Sequence, residues 1–506
     1  MGWWPFRRKA QGAQQLPFDT ADASFRSFAA AQVSRLIGDW TWDAGFSNAD
    51  IGVSLAVIRA RARDMAKNSE YFARWIQLFV ANVVGPNGFT FKSFAEQADG
   101  KPNADDAYFL ETHFARWAGE AEWCDVAGVN ALPSVLRLAA DNWARDGEAF
   151  ILIDSLAQNP YGIALQAIRP DCCDETLNVD LGNGTGIVNG VEVDLRSWRR
   201  IAYWFDVSKA DSRAGGWFRG RNRVRIPADR VLHVFIQHDA QQTRGVSLAH
   251  PFLKKLKMLD DYNEAELVAA KDQACSLGYF SAPAGREGEI SNLADSKNRG
   301  RLESSKEPGS RIVLPQGWSY KTETPSHPNA LQPSFKASML RDIASGAGLE
   351  YANFANDWGA VSYSSVRAGT ISERDCWQVY QNEMREKLLD RVFKAWLRSF
   401  LSLEVSGKLG TGDYARLLPH AFRGRRWAWV DPMKDVSASV LAVKNGFQTA
   451  ANIAADYGTD IDDNVAEAAR LAAECERLGV TLGDEAKETS KETTDEETTD
   501  EETHNE

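Results

Sequence analysis

Three serines in one short polar segment are the residues best suited to nucleophilic chemistry. Ser362, Ser364 and Ser365 lie within NDWGAVSYSSVRAG, residues 356–369, between two strongly helical patterns. An activated serine of the hydrolase type occupies a GxSxG turn, and the penicillin-binding type has a lysine three residues after the serine. Neither context is present, so the segment predicts a loop between helices and not a nucleophile.

Patterns for nucleotide and metal chemistry are also weak. GNGTG, residues 182–186, lacks the GxGxxG spacing and leads into a strand pattern, so no helix N-terminus would receive a phosphate. No GxxxxGK[ST] or HExxH sequence occurs. His233 and His238 are five residues apart, and on a strand this odd spacing directs them to opposite faces, so we predict no shared metal.

The densest carboxylates outside the C-terminal tail are Asp260, Asp261, Glu264 and Glu266. They lie on a predicted helix among ordinary surface charges, although a metal-dependent nuclease would need such a cluster. We therefore predict no catalytic residue, no metal and no cofactor. A DNA-processing enzyme stays open as an alternative.

The charge of the chain is concentrated at its C-terminus. The formal net charge is −12, and residues 484–506 hold eleven Asp and Glu against two Lys, so the remaining body is close to neutral. Within the tail, KETSKETTDEETTDEETHNE (487–506) repeats TDEET and has no apolar residue to bury, which predicts disorder, and the disordered tail is placed at 481–506. It is either a solvated spacer or a docking tail for a basic partner.

Length, cysteine usage and hydropathy restrict the class of protein. The 506 residues, 44% of them apolar, suffice for about three domains. The six cysteines form no CxxC pair, which predicts a reducing compartment and no structural zinc, and the vicinal pair Cys172–Cys173 is read as incidental. The longest apolar run, WIQLFVANVVG, is too short to cross a membrane. A soluble cytoplasmic protein is expected.

The periodicity of apolar residues predicts long helices around a region of strands. Residues 50–83 predict two helices broken at Asn68–Ser69, and strand patterns with an Asn189–Gly190 hairpin turn follow from about 149. The stretch 247–277 predicts a helix roughly 45 Å long at 1.5 Å per residue. A polar insert, a helix over 333–347, the opening loop and a helix over 363–402 complete the middle of the chain. RRWAWVDPMKDV, residues 425–436, is read as a short sheet-like piece before the terminal helices.

Seven ordered stretches resemble the lambda-type portal proteins of tailed bacteriophages. They are RARDMAKNSEYFARWIQLFVANVVGPNGF (61–89), DNWARDGEAFILI (141–153), IRPD (168–171), GVEVD (190–194), RIPADRVLHVF (225–235), TRGVSLAHPFLKKLKMLDDYNEAELVAAK (243–271) and YSSVRAG (363–369). Each stretch is unspecific alone, but the ordered set is specific and covers most of residues 50–470.

The resemblance implies an α+β portal-type subunit with a wing sheet, long stem helices, a small clip insert, a long tunnel helix and a helical crown. The expected divisions are an N-terminal arm, partly disordered (1–49), the wing (50–246), a first stem helix (247–277), the clip (278–330), a second stem helix (331–348), a tunnel loop (349–362), the tunnel helix with a return to the wing (363–435), the crown (436–480) and the acidic tail (481–506). Such subunits form a ring, typically of twelve copies, at one capsid vertex, where DNA passes and the head joins the tail.

The resemblance also implies partners and contact residues. The expected partners are other copies of the chain, the terminase large subunit, major capsid and scaffold proteins, a head-tail adaptor and double-stranded DNA without sequence specificity, but no membrane. The protein would be assembled in the host cytoplasm and located in the virion. The expected channel-facing residues are Asn353, Asn356, Trp358, Ser362, Lys336 and Arg341, and the expected terminase-facing clip residues are Arg286, Lys297, Arg299 and Arg301.

Two features of the sequence qualify these roles. Lys336 and Arg341 are alternatively explained by a solvated helix face or by ion pairs between subunits, and Ser362 fits the N-cap of the helix that follows it. A head-tail adaptor ring is a second alternative, although adaptors are usually far shorter. Tight DNA binding is not expected, because every phosphate that is gripped resists translocation.

Overall fold

The computed structural model describes residues 47–155, 157–206, 223–275, 279–281, 319–321, 331–359, 362–427, 432–456, 459 and 461–478. Nearly all of the predicted N-terminal arm, most of the predicted clip and the whole predicted tail lie outside these residues. The helices are α1 Ser47–Asn68, α2 Glu70–Val83, α3 Ala104–Gly119, α4 Ala121–Cys124, α5 Leu132–Asp146, α6 Leu253–Cys275, α7 Gln332–Ala347, α8 Tyr351–Ala355, α9 Tyr363–Met384, α10 Asp390–Leu401, α11 Tyr414–Leu417, α12 Pro432–Lys444, α13 Ala450–Asp456 and α14 Ile461–Leu478.

The strands form small antiparallel sheets. They are β1 Thr90–Ser93, β2 Ala149–Asp154, β3 Ala164–Ile168, β4 Val179–Gly182, β5 Thr185–Val188, β6 Val191–Asp194, β7 Arg200–Asp206, β8 Arg223–Pro227, β9 Val231–Val234, β10 Tyr279–Ser281, β11 Ser319–Lys321 and β12 His420–Arg423. One sheet has the order β3-β2-β9, another has β4-β5-β6-β7-β8, and the pairs β1-β12 and β10-β11 are separate. The described chain therefore mixes helices and sheets, as an α+β fold requires.

Local signals set several boundaries as the sequence predicts. The break between α1 and α2 falls at Ser69, whose side chain accepts a hydrogen bond from the backbone N–H of Phe72 and caps α2. The hairpin between β5 and β6 turns at Asn189 and Gly190, which both have positive φ angles, of 52° and 82°. A Cβ atom at Gly190 would lie 2.6 Å from the carbonyl oxygen of Asp174, so this position requires glycine.

Aromatic packing joins helices α2 and α5 to helix α9. Phe79 of α2 lies between Trp143 of α5 and both Trp377 and Tyr380 of α9, with ring centroids 5.0 to 5.7 Å apart. All four rings belong to one core that also includes β2, β3, β9 and α10. The core thus places α9, the predicted tunnel helix, against residues about 300 positions earlier in the chain.

Two predicted boundaries are wrong, and a third is confirmed. The helix expected over 247–277 begins at Leu253, because Pro251 lacks an N–H and disfavours helical geometry in the residue before it. The helix expected over 363–402 runs without a break from Tyr363 to Leu401 and contains one π-helical turn at Arg385–Leu389. Of the sheet-like piece expected over 425–436, residues 432–436 belong instead to helix α12, which begins at Pro432, and residues 428–431 lie outside the described residues.

A buried carboxylate connects the first helix, both larger sheets and the start of α6. Glu148, fully buried, precedes β2 and accepts hydrogen bonds from Arg59 of α1, from Arg244, from His233 of β9 and from the backbone N–H of Gly245. Arg244 reaches it with two nitrogens, at 2.6 and 2.9 Å from Oε1. The third nitrogen of Arg244 donates to the carbonyl oxygen of Asn189, 2.7 Å away in the hairpin of the five-stranded sheet.

The protonation states of this network follow from burial and charge. Burial alone raises the pKa of Glu148, but the charges of Arg244 and Arg59 and the bond from His233 outweigh it and hold the pKa well below its usual value. Burial lowers the pKa of His233 to about 3, although Glu148 opposes this shift. His233 is therefore neutral, with Nε2–H donating to Glu148 at 2.9 Å and Nδ1 facing the Tyr203 hydroxyl at 3.4 Å.

We expect Glu148→Gln to lower the free energy of unfolding by about 3–5 kcal/mol, because it leaves two buried guanidinium groups without a counter-charge. Urea unfolding of the purified chain measures this loss. Glu122→Gln on the exposed face of α4 is the matched control and should leave the midpoint unchanged. A Glu148→Gln variant as stable as its parent would show that the network contributes nothing.

We also expect stability to fall as the pH is lowered below about 6.5. The folded state keeps His233 neutral down to a pKa of about 3, whereas the unfolded chain protonates it near 6.5. Between these values the unfolded state binds one more proton, so the unfolding free energy falls by up to about 1.4 kcal/mol per pH unit. Unfolding at pH 7, 6 and 5 measures the slope, which His233→Gln should reduce and the exposed His238→Asn should not. An unchanged slope in His233→Gln would contradict the assignment.

Candidate functional site

The predicted channel-facing residues that the structure describes lie on α7, α8, α9 and the turns between them. Helix α7 ends at Gly348, whose φ of 70° is left-handed and whose N–H donates to the carbonyl oxygens of Ala344 and Ser345. Helix α8 ends in the same way at Asn356, with a φ of 54°. Two left-handed helix ends, eight residues apart, therefore reverse the chain between α7 and α9.

The turn after α8 is held by one carboxylate. Asp357 accepts a hydrogen bond from the Tyr351 hydroxyl at 2.8 Å and another from the backbone N–H of Gly359 at 3.2 Å. The bond from Tyr351 is the main reason that the pKa of Asp357 lies below its usual value. The turn is thus fixed at its base, while Asn356 and Trp358 are exposed, the latter to 49%.

Ser362 caps the helix that follows the turn, as its position predicts. Its Oγ accepts a hydrogen bond from the backbone N–H of Ser365 at 3.3 Å and lies 2.8 Å from the Ser365 hydroxyl. Its φ and ψ of −77° and 154° are those of an extended N-cap residue. Ser362 and Ser365 therefore form the start of helix α9.

Asn353 does not belong to a projecting loop. The loop predicted over 349–362 contains helix α8, which forms because Ala352 and Phe354 are buried against the core. Asn353 donates its side-chain N–H groups to the carboxylate of Glu373 on α9, at 3.1 and 3.2 Å. The exposed turn is consequently shorter than predicted and begins at Asn356.

Glu373 is the residue that sequence reasoning missed. Only 6% exposed, it also accepts hydrogen bonds from Trp377 Nε1 at 3.1 Å and from the backbone N–H of Glu350 at 3.1 Å. It therefore fastens the start of α8 to the middle of α9. The spacing of Glu373 and Trp377, four residues apart on one helix face, is the one signal in the sequence that could have indicated it.

The two predicted cations of α7 lie over aromatic rings of the same chain. Lys336 Nζ is 5.5 Å from the ring centre of Tyr71 on α2, and the guanidinium of Arg341 is 4.7 Å from the ring of Tyr351. Tyr71 in turn packs on Phe354, with ring centres 5.7 Å apart. Lys336 is half-buried, whereas Arg341 is exposed beside its ring, so the solvated helix face remains an alternative explanation for Arg341.

The remaining candidates show no arrangement for chemistry. Asp261 pairs with Lys257, and burial raises the pKa of Asp260. His238 lies beyond the end of β9 and not on the same strand as His233, so the predicted reason for their separation is wrong. Within the described ranges, no group of three or more His, Cys, Asp or Glu residues could hold a metal ion.

The four predicted clip residues, Arg286, Lys297, Arg299 and Arg301, lie outside the described residues. Cys172 and Cys173 are buried between the sheets, where burial raises the pKa of the Cys173 thiol to about 12. A reactive thiolate is therefore disfavoured there. Across the part of the chain that the structure describes, no helix combines the length and apolarity needed to cross a membrane.

Comparisons with known proteins agree on one family. Residues 33–381 match the model of the family described as phage portal protein, lambda family. The chain is 31% identical over 489 residues to the probable portal protein of Halomonas phage phiHAP-1, covering 94% of this chain and 92% of that protein. It is 22% identical to portal protein B of Escherichia phage lambda, covering 83% of this chain and 84% of that protein.

Among solved structures, a chain from the neck of an empty gene transfer agent particle, computed with C6 symmetry, is also similar. It is 14% identical to this chain with a TM-score of 0.43, and the match covers 79% of this chain and 93% of that one.

We expect Glu373→Ala to open the segment around α8 without unfolding the core. The change removes bonds to Asn353, Trp377 and the backbone of Glu350, each worth about 1 kcal/mol. Because 1.4 kcal/mol is tenfold in an equilibrium, the open fraction should rise about 10- to 100-fold. Chymotrypsin cleavage at Phe354, which is buried in the closed segment, measures this opening. The neighbouring exposed Asp375→Asn is the control, and equal cleavage rates in both variants would contradict the role of Glu373.

Proposed function

Because the chain belongs to the lambda family of phage portal proteins, we propose that the turn between α8 and α9 faces DNA inside a ring of its copies. The resemblance read from the sequence is confirmed by the family match. Portal proteins form the channel at one vertex of the phage capsid, through which the genome is packaged, and this role follows from the family. Members of this family are structural, non-enzymatic components of the virion.

The observation that carries the proposal is the construction of the turn at residues 356–359. Its base is fixed by Asp357, and its neighbours are a helix fastened by Glu373 and a helix capped by Ser362. Its exposed part offers the amide of Asn356, the indole of Trp358 and the carboxylate of Asp357, but no cation. A rigid turn of this composition contacts a passing duplex weakly and without reading its sequence.

Weak contact suits translocation. Affinity for DNA rises with each phosphate that a cation neutralises, so a cation at the turn would slow the movement of DNA, and ring symmetry would multiply the effect. Lys336 and Arg341 lie on α7 beside the rings of Tyr71 and Tyr351, and Lys336 is half-buried whereas Arg341 is exposed. In our proposal both residues also face the channel, where they add positive charge at a level separate from the turn. An ion pair with a neighbouring copy is the alternative role for each.

The remaining assignments rest on the family likeness alone. We propose a ring of twelve copies, with the polar insert at 278–330 as the terminase-facing clip and Arg286, Lys297, Arg299 and Arg301 as its contact residues. Major capsid and scaffold proteins and a head-tail adaptor would contact other surfaces. Assembly in the host cytoplasm before incorporation into the virion is part of the same proposal.

Replacing residues 357–361 with a glycine-serine linker should leave rings intact and reduce the number of DNA-filled heads at least tenfold. The turn lies outside the packed part of α8, so the fold does not need it, whereas the channel would lose its contact with DNA. Electron microscopy of the purified protein measures ring formation, and counting filled heads after complementation of a portal-deficient phage measures packaging.

The control is Asn183→Gly in the exposed hairpin between β4 and β5, where a positive φ makes glycine compatible. It should change neither measurement. Loss of rings in the linker variant would make the turn structural, and normal numbers of filled heads would show that it does not act on DNA. Either result would contradict the proposal.

A further inference from the structure

Helix α12 presents a regular apolar stripe to solvent. Met433, Val436, Val440, Val443 and Phe447 follow one another at spacings of three, four, three and four residues. This is the repeat by which helices pack along a shared seam. Yet Met433 and Phe447 are each 82% exposed, and the three valines between them are exposed as well.

The end of α12 extends the stripe by one position. Gly446 takes a left-handed φ of 73°, and the N–H of Phe447 donates back to the carbonyl oxygen of Ala442 at 2.9 Å. This hydrogen-bond pattern closes the helix and fixes the backbone of Phe447 next to its last turn. The phenyl ring is therefore held near the stripe, where an aromatic group contributes a large contact area.

Helix α14 presents a second apolar stripe. Val465, Leu471 and Leu478 are 54–60% exposed, and on a helical projection they fall on one side together with Ile461 and Ala468. The opposite side of α14 is charged. The helix holds five Asp or Glu residues and two Arg, whereas α12 holds two Lys and one Asp.

Within the described chain these stripes are not covered. Helix α12 is joined to α9 by the ion pair between Asp435 and Arg367 at 2.9 Å, and the segment before α14 is joined to β12 by a bond from Arg423 to the carbonyl oxygen of Thr459 at 2.8 Å. These bonds fix the beginnings of the helices and leave the stripes open. Helices of 13 and 18 residues depend on packing for most of their stability, so both stripes require a partner.

We propose that the α12 stripe of one copy packs against the α14 stripe of the adjacent copy. On a helical projection Lys444 borders the α12 stripe, whereas Glu467 and Glu476 border the α14 stripe. This pairing therefore brings opposite charges together, whereas α12 with α12 or α14 with α14 would bring like charges together. Two different surfaces on one chain make a head-to-tail contact, the type that closes into a ring. The inference rests on the proposed ring and identifies one of the surfaces that join its subunits.

Disulfide crosslinking between two differently tagged full-length chains tests the pairing. One chain carries Val440→Cys and the other Leu471→Cys, with Cys275, Cys376 and Cys475 replaced by Ala in both. We expect the mixed dimer to be the main product of mild oxidation. In the matched control, Ala438→Cys replaces Val440→Cys, two residues away and about 200° around the helix, and the mixed dimer should fall at least tenfold.

Electron microscopy of the same samples separates this inference from the proposed function. Rings with the mixed dimer support both. Rings without it show that another segment or protein covers the stripes, which overturns the inference alone. The mixed dimer without rings supports the pairing but contradicts the ring, and the absence of both overturns both. A single chain carrying both cysteines that closes within itself, with no dimer, would also overturn the inference.

Discussion

The described core depends on one buried carboxylate. Removing Glu148 from water costs several kcal/mol, and this cost is offset only because Arg59, Arg244, His233 and the N–H of Gly245 all reach it with good geometry. The four donors come from three parts of the chain: α1, the segment before α6, and β9. A displacement of either arginine would leave its buried guanidinium without its counter-charge, so the network favours a single arrangement of helices and sheets.

The backbone around Glu148 is built for this approach. A Cβ atom at Gly147 would lie 2.1 Å from the backbone of Val246, and one at Gly245 would lie 2.2 Å from the carbonyl oxygen of Gly147. The two chain segments can pass so closely only because both positions are glycine. This close approach brings the N–H of Gly245 within 2.8 Å of the Glu148 carboxylate. The start of α6 is thereby fixed to the sheets, and α7 packs with it because Leu340 and Ile343 are buried in the same core as Leu256.

The sequence predicts the caps and turns that depend on neighbouring residues, but it does not predict contacts between residues that are far apart in the chain. Ser69, Ser362 and the Asn189–Gly190 turn act on residues a few positions away, so their roles were readable. The partners of Glu148 lie 85 to 97 residues away, and no local pattern marks them. Asn353 was misassigned for the same reason, because its polarity suggested a loop while its partner Glu373 lies 20 residues later.

The buried core and the C-terminal helices α12 and α14 differ in how their side chains are covered. Around Glu148 and Glu373 the buried charges are paired within one chain. At α12 and α14, by contrast, apolar side chains at seam spacing are exposed to water. In the ring that we propose, this division allows the core of each subunit to fold first, whereas the two stripes gain their packing only when neighbouring copies join.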